Sequence, residues 1–133
     1  MKLRYVFVAN TIVALIFAAG LLLAPKTLLE LFGLNVGGGV ATGAKVNLVT
    51  QLLGAALAVP GLVSWFAKDF ADAGARKSVA VSLFVFEVVG FGVSFFVGML
   101  PKVMSVTGWF IVALFLLFAL GYAYFLFMKQ SDI

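Results

Sequence analysis

Four runs of about twenty apolar residues, each closed by a short polar break, constrain this 133-residue chain more than any other feature of it. The runs cover 5–24, 46–67, 78–100 and 105–128. At ~1.5 Å of rise per helical residue, each is long enough to cross a hydrocarbon layer of ~30 Å. The expected fold is all-α: an integral membrane, antiparallel four-helix bundle forming a single transmembrane domain over 1–133. A mean hydropathy of +1.23 agrees with that reading. The longest polar stretch, 68–77, leaves no room for a soluble domain.

Cysteine and histidine are both absent. Disulfides, thiol chemistry, iron–sulfur ligation and the usual haem and zinc ligands go with them. Fifteen phenylalanines invite a pigment or quinone reading. Phenylalanine is also an ordinary lipid-facing residue, however, and Phe84, Phe115 and Phe118 sit in no motif. No catalytic residue, metal or cofactor is therefore expected. The net charge of +4 does not indicate nucleic acid. The basic residues lie singly or in pairs at the span ends, where they mark topology and anchor to headgroups, and a nucleic-acid surface would gather them on one face. The bilayer is the expected partner.

Orientation follows from the same residues. Six of them (Lys2, Arg4, Lys68, Arg76, Lys77, Lys129) fall on one side and three (Lys26, Lys45, Lys102) on the other. Both termini are predicted to be cytoplasmic, in a bacterial inner membrane. Tyr5, Trp65, Phe66, Tyr122 and Tyr124 fall near the inner interface and Trp109 near the outer one. The first run follows Lys2 and Arg4 and holds the small residues Ala18, Ala19 and Gly20, as a signal peptide would. It is longer than a usual signal core and is expected to be retained as a span.

The connections carry local signals. Pro25 opens and Gly33 closes a short amphipathic segment, predicted as an interfacial helix after the first span. Gly37, Gly38 and Gly39 then form a link, without the Lys or Ser/Thr pattern that a phosphate cradle needs. Asp72 and Arg76 are four apart, a helix-stabilising pair. Pro101 and Lys102 make a tight turn, with Ser105 or Thr107 placed to cap the last helix. The two halves of the chain show no duplication, so an inverted-repeat transporter is not indicated.

Glu87 is the only ionisable residue well inside a run, roughly 13 Å from the inner end of the third. A charge at that depth is costly, so such residues face the bundle interior and are often functional. Gly90, Ser94 and Gly98 follow on the same stripe, and small residues at this spacing let helices approach closely. Pro60 in the second span frees the Ala56 carbonyl and should kink the helix. That carbonyl, at a similar depth, is a candidate partner for a neutral Glu87. Asn10 shares a face of the first span with Ala14 and Ala18. Asn47, Gln51 and Ala55 share a face of the second, with Thr50 and Gly54 beside it. These define a candidate intramembrane polar site of Glu87, Gln51, Asn10 and Asn47.

The residues Leu-Leu-Ala-Pro (22–25) and Leu-Phe-Gly-Leu (31–34) resemble those of small four-helix bacterial membrane proteins of the DoxX-like families. Gly54, Ala55, Ala56, Gly61 and Leu62 add to the likeness, as does the closing Gly-Tyr-Ala-Tyr (121–124). The resemblance implies a four-span bundle and carries no catalytic residue. Small multidrug transporters are similarly short and depend on one membrane glutamate, but theirs lies in the first span. Three functions follow in order of support. The first is a non-catalytic accessory or structural subunit, partnered by other membrane subunits or by its own copies. The second is a small proton- or cation-coupled transporter or channel using Glu87. The third is a lipid-modifying enzyme, for which a lone carboxyl lacks a positioned partner.

Overall fold

The computed structural model describes residues 2–34, 40–102 and 104–129. Five α-helices make up most of it: α1 (Leu3–Leu23), α2 (Pro25–Leu31), α3 (Val40–Ala67), α4 (Ala73–Val93) and α5 (Gly108–Ala123). Two of them run on as π-helical turns, α4 through Ser94–Met99 and α5 through Tyr124–Met128. Four stretches are long and apolar enough to span a membrane: Leu3–Leu23, Gly43–Ala67, Ala73–Met99 and Gly108–Met128. The glycines of 37–39 lie outside the described residues.

The boundaries differ from the hydropathy runs for local reasons. Helix α4 begins at Ala73, not at residue 78, because Asp72 caps it by accepting from the Ala75 N–H at 2.6 Å. A polar cap and charged first turns are good helix chemistry that hydropathy does not register. Pro25 starts α2 and Gly33 stops it. At Gly33 φ is +77°, its N–H donates to Glu30 O and the Leu34 N–H to Leu29 O, both at 2.9 Å. This pairing is a Schellman end, which favours glycine in the left-handed region. Ser105 and Thr107 do not cap α5 with their side chains. Instead both hydroxyls reach the Leu31 carbonyl, and the Ser105 N–H donates to Phe32 O at 2.8 Å, tying the end of α2 to the start of α5.

Helix α1 is the most enclosed of the four long helices. Its buried positions, from Leu3 through Phe7, Asn10, Ala14 and Ala18 to Leu21, form one continuous face at helical spacing. Helix α3 packs on it through small residues. A methyl at Gly54 would lie 2.8 Å from Leu21 Cβ, and one at Gly61 would lie 3.2 Å from Ala14 Cβ. The two backbones meet closely because nothing projects between them. Helices α4 and α5 form the other close pair, at Gly90, where an added Cβ would lie 2.3 Å from the Phe115 ring. Helix α3 continues through Pro60. The densest apolar cluster lies at the end carrying the N-terminus, where Leu3, Val6, Phe7, Ala67, Ala80, Leu83, Tyr122, Phe125 and Leu126 are buried together.

Candidate functional site

Directly above that cluster the buried side chains turn polar. Asn10 of α1 is 4% exposed, Ser64 of α3 and Tyr122 of α5 are wholly buried, and Glu87 of α4 is 3% exposed. The Asn10 amide donates to Tyr122 Oη at 2.9 Å and to Ser64 Oγ at 3.4 Å. The same Asn10 side chain meets the Glu87 carboxyl, which also lies close to Tyr122. Ser64 spends its own proton on the Pro60 carbonyl at 2.7 Å. Beside Asn10, the buried Thr11 hydroxyl lies 2.9 Å from Phe7 O and 3.1 Å from Gly61 O, linking α1 to α3 a second time. One polar junction thus draws a side chain from each of the four long helices. The Tyr122 ring closes its floor, with its centroid 5.9 Å from that of Phe7.

Sequence reasoning finds half of this junction. Asn10 and Glu87 come together as expected, and Glu87 is turned inward. Its contact is Asn10, not the Ala56 carbonyl, and Ala56 is exposed on α3. Gln51 and Asn47 do not join the site. Thr50 and Gly54 form the buried face of α3, whereas Gln51, a step of ~100° around the helix, is exposed. The smaller residues decide which face approaches α1, because only they permit the contact. Gln51 serves elsewhere, its amide donating to Leu22 O at 3.2 Å, at the end of α1 where carbonyls lack helical partners. Asn47 is half-buried one turn further along.

Ser64 and Tyr122 are the members that the sequence hides. A serine near a span end and a tyrosine near an interface are both ordinary, and position alone assigns Tyr122 to the aromatic belt. The signal that finds them is spacing: Ser64 follows Gly61 at i+3 on the small-residue face of α3. The stripe on α4 likewise has its own partners. Gly90 receives the Phe115 ring, Gly98 is buried against Met104, and Ser94 is half-buried where the π-helical turn begins. These residues pack α4 on α5 and on the connection before it. Pro60 is half-buried and lines a groove between α3 and α4.

Among the described residues, one groove opens between α3 and α4 and another beneath α2 beside Phe17 and Phe110; neither of these is lined by a residue of the polar junction. Among the described residues no three His, Cys, Asp or Glu side chains cluster as metal ligands do. What the arrangement offers chemically is hydrogen bonding among neutral donors and one acid. Compared with known proteins, the chain matches no family model, no curated protein and no solved structure.

Proposed function

We propose that the chain is a non-catalytic integral membrane protein, an antiparallel four-span bundle that acts as an accessory or structural subunit of a membrane complex or associates with its own copies. A bacterial inner membrane with both termini cytoplasmic suits its charge distribution. The observation that carries this reading is the polar junction. Asn10, Ser64, Glu87 and Tyr122 are directed at one another, and the surface left over is a broad apolar face, including Leu52, Val59, Leu62, Val89 and Phe96. In hydrocarbon, polar side chains of different helices find their best partners in each other, and such contacts fix which helices lie together. The resemblance of 22–25, 31–34 and 121–124 to DoxX-like proteins supports the four-span bundle in this reading. The test is extraction from native membranes in a mild detergent, followed by mass measurement of the intact assembly. A fixed stoichiometry with other membrane subunits or with itself is expected, and a lone monomer overturns the proposal.

A second reading rests on Glu87 itself, an acid inside a span with an amide and a phenol beside it. A small proton- or cation-coupled carrier would use that group. Proteoliposomes loaded with a pH-sensitive dye decide the matter. Under the structural reading neither the wild type nor Glu87→Gln moves protons. A wild-type flux that Glu87→Gln abolishes makes the protein a carrier.

A further inference from the structure

Helices α3 and α4 follow one another in the chain yet leave a groove of about 330 Å³ between them. Val59, Pro60 and Val63 form one wall, and Leu83 and Phe86 are on the other. The reason is the commitment of α3 to α1: its glycine face is pressed on Ala14, Ala18 and Leu21, so the bulkier residues on another face stand away from α4. Two serines, Ser78 and Ser82, also line the groove. Their hydroxyls donate to Gly74 O and Ser78 O within α4, both at 3.0 Å. With those protons spent, the lining asks for no polar ligand.

We propose that this groove is a binding site for one acyl chain of a bilayer lipid. The inference rests on the reading that α3 and α4 cross a membrane. Access and size select the occupant. The groove is open along one side, so a hydrocarbon chain can enter it laterally from the surrounding lipid. A second helix, ~10 Å across with its side chains, does not enter such a space. From Ser78 to Phe86 the groove runs ~12 Å along α4, parallel to the direction in which lipid chains lie. A chain held there makes dispersion contacts on two rigid walls, more than it makes on a convex helix surface.

The test takes the full-length protein reconstituted into vesicles of phosphatidylethanolamine and phosphatidylglycerol, re-extracts it in dodecyl maltoside, and weighs it by native mass spectrometry. Wild type is expected to retain one lipid per chain. Val63→Trp and Ser82→Phe, which fill the groove from opposite walls, should lower the retained fraction at least tenfold. Val89→Phe, on an exposed face of α4, should leave it unchanged. Since the chain has no cysteine, Ser82→Cys can be blocked with a maleimide after folding, and this should expel the lipid even if the bulky variants do not fold. No lipid on the wild type, or retention untouched by both filling and blocking, overturns the proposal. Ready disulfide dimerisation of Ser82→Cys also overturns it, because a second copy then covers the groove. If carbonate washing instead releases the protein from membranes, the membrane-spanning reading itself fails.

Discussion

Asn10 is the residue on which the polar junction turns, because its one amide serves two hydroxyls and meets a carboxyl. Tyr122→Phe removes the acceptor of its 2.9 Å bond while keeping the ring in the core. In a membrane such a bond contributes about 0.5–1.5 kcal/mol, so a loss of that size is expected in reversible unfolding by dodecyl sulfate. Asn10→Leu deprives Ser64, Glu87 and Tyr122 together and should cost more than Tyr122→Phe; the reverse order would contradict the arrangement. Gly90 gives a second expectation at this scale. A methyl there meets the Phe115 ring at 2.3 Å, so Gly90→Ala should destabilise by about 1–3 kcal/mol. Adding Phe115→Leu should recover part of that loss, a coupling that unfolding of the single and double variants will read. Glu87 and Asn10 are legible in the sequence because a polar residue deep in an apolar run has few explanations. Gln51 misleads because polarity within a span suggests the interior, whereas an orphan carbonyl at a neighbouring helix end can hold an amide equally well.

At the scale of elements, short-range chemistry is the most readable part of the chain. Pro25 and Gly33 mark the limits of α2, because one residue cannot continue a helix backwards and the other tolerates the turn that ends it. Gly33→Ala tests the turn. A Cβ there, at φ +77°, would lie 2.7 Å from Ser105 Cβ, so the variant should lose about 1–2 kcal/mol and loosen α2 from α5. Hydrogen exchange at the Leu34 amide should report it. The connection between α3 and α4 supplies a pH dependence. Asp69 hydrogen-bonds Lys68 and lies 3.3 Å from Arg4. The hydrogen bond from Lys68 is the largest influence and, with the lesser charge effects of Lys68 and Arg4, holds its carboxyl below the ordinary 3.8, against an opposing effect of burial that exceeds either charge effect. A lowered value in the folded state means that the tie is intact above the ordinary value and is lost as acid titrates through the lower one. Thermal stability in detergent should therefore show an acid-side decline below about pH 4 that is reduced in Asp69→Asn. An equal decline in both proteins would show that the tie contributes nothing.

For the molecule as a whole, four apolar runs announce four long helices, but not which ones lie together. Helix α5 is apolar around its circumference, and inside a bilayer the lipid is as apolar as a neighbouring helix. Hydrophobicity thus stops distinguishing inside from outside. Only small and polar residues still carry that information, which is why Gly54, Gly61 and Gly90 locate the close pairs and the leucines do not. The proposed orientation can be checked at this scale. Cysteines introduced at Ala71 and Lys102 should be labelled from opposite faces of the membrane, Ala71 from the cytoplasmic one, and the opposite result would invert the topology.

The polar junction has a consequence for biosynthesis. Its four members arrive at the ribosome in the order Asn10, Ser64, Glu87, Tyr122, so the last arrives only when nearly the whole chain has been made. Until α5 is in place, the Asn10 amide lacks its Tyr122 acceptor and α4 lacks the Phe115 ring that fills the hollow at Gly90. An incomplete chain therefore leaves the Asn10 side chain with Ser64 and Glu87 as its only partners in the junction, a condition that ends when the final helix docks. Completeness of synthesis is in this way written into the stability of the product, because a chain cut short before Tyr122 lacks the acceptor of the 2.9 Å bond from Asn10.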